Sequence, residues 1–89
     1  MIDNVMTDAE FDVLDALYFV TPFAEVVQES GLPEAVVRDA LRGMVHRGWV
    51  RCYQGPDTEL MPQEVVFEEH YGAYHYLATK AGLLAHNGR

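Results

Sequence analysis

The 89 residues, 49% of them hydrophobic, suit one domain and leave too little chain for a second hydrophobic core. Fourteen acidic against six basic side chains give a net charge of −8, which repels polyanions unless the cations are gathered on one surface. Apolar runs such as Ala16 to Val20 fall far short of the roughly 20 residues of a membrane-spanning helix, and Asp3 within a start that lacks basic residues argues against a secretory signal.

Thr7-Asp8-Ala9-Glu10 has the spacing of a capping box, flanked by Met6 and Phe11 at the positions of a hydrophobic staple. A first helix is expected there, with Phe11, Leu14, Leu17 and Tyr18 as its buried stripe. Thr21-Pro22 reads as an N-cap followed by a first-turn proline, opening a second helix with Phe23, Val26 and Val27 on its apolar face and a stop at Ser30-Gly31. Pro33 restarts the chain within three or four residues. Through the third helix Val37, Ala40, Leu41, Met44 and Val45 form the packing side, while Arg38, Arg42 and His46 follow at four-residue steps on another.

After His46-Arg47-Gly48, the run Trp49 to Tyr53 reads as a strand, with Tyr74 to Leu77 as its antiparallel partner. Thr79 is placed to cap a last short helix through Leu83, Leu84 and Ala85. The intervening residues 54–72 exceed a tight hairpin, and a short extra element around Val65-Val66-Phe67 is one reading of them. Residues 1–6 and 87–89 are expected to fray.

The stretch from Thr21 to Tyr53 resembles the winged-helix domains of bacterial transcription regulators, MarR-like and related types. Gly31 matches the turn glycine, Val37 and Leu41 core positions of the recognition helix, and Arg47-Gly48-Trp49-Val50 the run entering the wing. Tyr76 to Gly82 is similar to the strand-to-helix junction beyond it. The resemblance implies an α+β winged helix-turn-helix: a three-helix core, a two- or three-stranded antiparallel wing and a short C-terminal helix, in one domain over residues 1–89. It also implies DNA as partner, with the third helix in the major groove.

Charge is unevenly spread. Met1 to Leu32 holds seven acids and no base, Pro33 to Tyr53 four of the six cations, and Gln54 to Tyr76 five acids and no base. On the DNA-binding reading Arg38 and Arg42 reach base edges or phosphates, and His46, Arg47 and Arg51 anchor the backbone; the other reading of the helix arginines is a solvated face that pairs with Asp39 or Glu34 and serves solubility. The alternative is a protein-protein interaction module, favoured by the acidic wing of Asp57, Glu59, Glu64, Glu68 and Glu69, with Phe67, Tyr71, Tyr74 and Tyr76 either as a contact patch or as cover for the core. A homodimer would suit palindromic DNA sites, yet no long terminal helices offer to pair, and oligomeric state stays open.

Cys52 cannot form an internal disulfide, which fits a reducing cytoplasm; it is either a buried strand residue or a redox-sensing thiol. His70 and His75, with Glu68 and Glu69, match no ligand spacing, so no metal is expected. No phosphate-binding loop, nucleophile elbow or converging acid and base is present, so neither cofactor nor catalysis is expected.

Overall fold

A computed structural model describes residues 5–89; residues 1–4, part of the end expected to fray, lie outside them. The capping box closes as its spacing predicts. The Glu10 amide donates to Thr7 Oγ1 at 3.1 Å and the Thr7 amide to Glu10 Oε1 at 3.0 Å, opening helix α1 (Asp8–Leu14). Met6 is buried and Phe11 packs against the same core, as a hydrophobic staple does. The helix is shorter than its apolar spacing suggests. It ends at Leu14, a further tight turn buries Leu17, and Tyr18 is left 47% exposed outside the stripe.

Thr21 is not the N-cap of the second helix, and Pro22 is not in its first turn. They form a two-residue strand, β1 (Thr21–Pro22), pairing with Tyr76 and His75, and the Thr21 hydroxyl donates to Phe19 O at 2.7 Å. Pro22 then sits at the N-cap of α2 (Phe23–Ser30) without a side-chain cap. That helix stops at Gly31, whose φ of 73° is the left-handed conformation glycine adopts without penalty. After Pro33 comes α3 (Glu34–His46), burying Val37, Ala40, Leu41 and Met44.

Strands β2 (Val50–Tyr53) and β3 (His75–Ala78) are antiparallel, and the sheet order is β1-β3-β2. Tyr76 thus stands between Thr21 and Cys52 in register; it is fully buried and its hydroxyl donates to Tyr71 O at 2.7 Å. Both sheet edges are protected. β1 is two residues long and carries Pro22, which has no amide hydrogen to offer. Along β2, the Leu60 amide donates to Cys52 O at 2.9 Å and Glu59 bridges Tyr53.

The remainder of the 54–72 segment is structured. A 3₁₀ turn (Pro62–Glu64) precedes a one-turn helix, α4 (Phe67–His70), which begins at the last residue of the element expected around Val65-Val66-Phe67. Thr79 caps α5 (Lys80–Asn87) by accepting the Gly82 amide at 3.0 Å. Asn87 belongs to that helix, and the Arg89 guanidinium donates to Thr7 O and Asp8 Oδ1. Val13, Leu14, Leu17, Val26, Val37, Leu41 and Met44 are all fully buried; each contributes about 1.5–3 kcal/mol relative to exposure, so the core rests on the helices as much as on the sheet. No described helix is long and apolar enough to cross a membrane.

Candidate nucleic-acid interface on the third helix

The four-residue steps of Arg38, Arg42 and His46 place them along one exposed ridge of α3, as helical periodicity requires. Arg38 and Arg42 do not stand free on that ridge. Arg38 Nε donates to Asp39 Oδ1 at 3.0 Å, and its guanidinium lies 6.0 Å from the Tyr71 ring. Arg42 is bound from two sides: Nε and Nη2 grip the Glu68 carboxylate at 2.5 and 2.9 Å, while Nη1 donates to Asp39 at 2.8 Å. Its guanidinium also lies 5.8 Å from the Phe67 ring. The acidic segment therefore folds back on α3, and α4 occupies the approach to the two arginines expected to read bases.

His46 is exposed at the end of the ridge, beside Pro62 and Phe67. The other two candidates point elsewhere. Arg47 Nη1 donates to both oxygens of Glu10, each at 3.0 Å, and its guanidinium stacks 4.9 Å from the Trp49 ring. Glu10 is only 6% exposed while Arg47 is exposed, so this is a half-buried pair fastening α1 to the end of α3. Arg51, on β2, faces Glu59 with 3.5 Å between Nη1 and Oε2. All four arginines of the basic stretch thus have a carboxylate of the same chain within 4.0 Å.

These contacts move proton affinities in the direction pairing dictates. Glu68 is held below the ordinary glutamate range by the Arg42 hydrogen bond, and Asp39 is lowered by Arg38 first and Arg42 second. Arg42 is raised in turn by Glu68 and then Asp39. A depressed carboxylate favours the closed arrangement above its unfolded-state value and loses that contribution as pH falls through the folded-state value. Carbon-detected NMR titration should accordingly give a Glu68 midpoint below that of the same residue in the urea-unfolded chain. Equal midpoints would mean that Glu68 and Arg42 are apart in solution. Both groups are solvent-exposed, so the tether is weak per pair and acts through the bidentate geometry and the two rings beneath it.

The aromatic residues of the acidic segment cover the core. Tyr74 and Tyr76 are buried, the Tyr74 hydroxyl accepts the Val66 amide at 3.0 Å, and Phe67 and Tyr71 stack at 5.6 Å against Phe23 and Tyr76. Three of the five acids of the 54–72 segment are engaged within the chain as well: Glu59 with Arg51, Glu68 with Arg42, and Glu64 accepting the Met61 amide at 2.7 Å.

Cys52 is 2% exposed, and burial pushes its thiol up to about 12. Since the thiolate is the reactive form, a disulfide exchange reagent at pH 8 should modify the folded protein at least roughly a hundredfold more slowly than the urea-unfolded chain. Comparable rates would put the thiol at the surface and revive a sensing role. His75 Nδ1 is buried without a hydrogen-bond partner. Among the described residues, no three His, Cys, Asp or Glu side chains are grouped to hold a metal ion.

Two intramolecular partners escaped sequence reasoning because they lie far along the chain, Glu10 at 37 residues from Arg47 and Glu68 at 26 from Arg42. Asp39, one residue from Arg38 and three from Arg42 on the same helix, carried a local signal and is a partner the solvated-face reading named.

Among the described residues, five α-helices and one three-stranded antiparallel sheet make a compact α+β domain whose most cationic helix is paired with its own acids. No protein-family model matches the chain, and neither the curated proteins nor the solved structures searched contain a significant match.

Proposed function

We propose that this chain is a winged-helix domain that acts by binding another protein rather than DNA. The architectural half of the reading is supported by element order, since α1-β1-α2-α3-β2-β3 with sheet order β1-β3-β2 agrees with the helix, turn and wing placement that the Thr21 to Tyr53 resemblance implies. The functional half rests on one observation: Glu68 grips Arg42 bidentately across the exposed side of α3. Phosphate must displace that carboxylate while standing beside Asp39, in a molecule of net charge −8, and like-charge approach of this kind disfavours a partner strongly.

A protein partner meets no such barrier. Asp57 and Glu69 are exposed and are not among the wing acids engaged within the fold, which leaves them to meet cations on another surface. An immobilised wild-type chain is expected to retain a partner that survives nuclease treatment and is lost with Asp57→Lys plus Glu69→Lys. Retention abolished by nuclease contradicts the reading, because nucleic acid then bridges the two.

DNA binding is the second reading, and the four-residue alignment of Arg38, Arg42 and His46 on one side of α3 favours it. It requires the Arg42–Glu68 contact to open on the duplex.

A further inference from the structure

We propose that the groove between the end of α3, β2 and the start of α5 binds an aliphatic carboxylate, its tail among Val45, Val50, Leu60 and Val65 and its head group on the Lys80 ammonium. The inference stands apart from the protein-binding reading and uses none of the α3 arginines.

The groove has a volume of about 490 Å³, within the roughly 300–1,000 Å³ typical of small-molecule sites. Its walls are fixed by main-chain contacts. The Leu60 amide is bonded to Cys52 O and the Thr79 amide to Trp49 O, each at 2.9 Å, and the Thr79 hydroxyl donates to Gly48 O at 2.7 Å. No aromatic ring lines the groove. Aliphatic side chains do, together with Met61, which is 54% exposed and whose flexible thioether adapts to apolar chains of varied shape.

Charge selects the head group. Among the described residues each of the five arginines has a carboxylate within 4.0 Å, and Lys80 has none. Arg51, at the same groove, is neutralised by Glu59. Lys80 sits in the first turn of α5, where a cation opposes the helix dipole, so the helix gains nothing from its charge. In a strongly anionic molecule the groove therefore combines an apolar wall with an uncompensated cation, and a ligand with an alkyl body and one carboxylate satisfies both.

Octanoate is the probe, read by two-dimensional amide NMR on the folded chain, with 1-octanol as the uncharged comparison. Octanoate is expected to shift the amides of Val45, Val50, Leu60 and Lys80 saturably. Lys80→Ala should weaken it about tenfold, the equivalent of about 1.4 kcal/mol, and Lys80→Arg should restore it, while 1-octanol binds more weakly and ignores both substitutions. Lys80 is exposed and the Thr79 cap remains in both variants, so folding is not at stake. The proposal is overturned by octanol binding as tightly as octanoate, by octanoate binding that Lys80→Ala leaves unchanged, by the absence of saturable shifts, or by shifts centred on the exposed Phe19 or Leu84.

Discussion

Gly82→Ala is expected to lower the melting midpoint by at least roughly 15 °C. The first turn of α5 lies so close to the start of β2 that an added Cβ would stand 2.2 Å from Trp49 O, 3.0 Å from its carbonyl carbon and 3.2 Å from its Cα. All three are main-chain atoms and cannot rotate away, and Trp49 O is also held by the Thr79 amide at 2.9 Å. Relief demands that the helix move off the sheet, exposing buried Trp49 and His86. We expect a loss above about 4 kcal/mol, a magnitude tied to overpacking at a site that cannot yield, against a total stability of roughly 5–10 kcal/mol for a domain of this size. Gly72→Ala is the matched comparison, because nothing lies within 4 Å of its added Cβ and its φ is not positive; it should melt within a few degrees of wild type. A cooperative melt for Gly82→Ala at the wild-type temperature would mean that α5 does not dock on Trp49.

The second large effect concerns Arg47, a residue whose position suggested a phosphate contact. Arg47→Ala is expected to cost about 2–3 kcal/mol of stability. Glu10 is 6% exposed and receives Arg47 Nη1 on both oxygens, so removing the guanidinium leaves a carboxylate desolvated with only the Thr7 amide as partner. Breaking a fully buried pair costs about 3–5 kcal/mol. The Arg47 side chain is 31% exposed, so water compensates in part and the lower figure applies. At about 4–8 °C per kcal/mol for a domain of this length, the melting midpoint should fall by roughly 10–20 °C. Glu10→Gln preserves the capping geometry but removes the charge, and a double-mutant cycle of the two substitutions should show coupling above about 1 kcal/mol. Additive effects would show that the pair is not formed in solution.

Local signals translated into structure reliably. The capping box at Thr7 and Glu10, the left-handed stop at Gly31 and the Thr79 cap each involve groups within four residues of one another, where backbone geometry alone decides the outcome. Thr21-Pro22 carried the same kind of signal and became a strand, because the pairing energy of β3, more than fifty residues away, outweighed a local cap. The arginine ridge was half legible. Helical periodicity put Arg38 and Arg42 on one side of α3, but Glu68 reaches Arg42 only through the fold of the 54–72 segment, and that fold is set by aromatic burial of Phe67, Tyr71 and Tyr76 rather than by any periodic pattern. The acids of the 54–72 segment read as a surface charge, and in the structure three of them answer cations or amides of the same chain.

Whether α3 is withheld from nucleic acid is decided most directly by fluorescence anisotropy of a labelled DNA duplex titrated with the wild-type chain at about 50 mM salt, where electrostatic binding is strongest. No saturable binding is the predicted result, and Glu68→Lys with Glu69→Lys, which uncovers Arg42 and makes the net charge less negative, should introduce salt-sensitive binding. Saturable wild-type binding that weakens linearly in log affinity against log salt, and that Arg38→Ala with Arg42→Ala abolishes, would contradict the account and make DNA the ligand of the third helix.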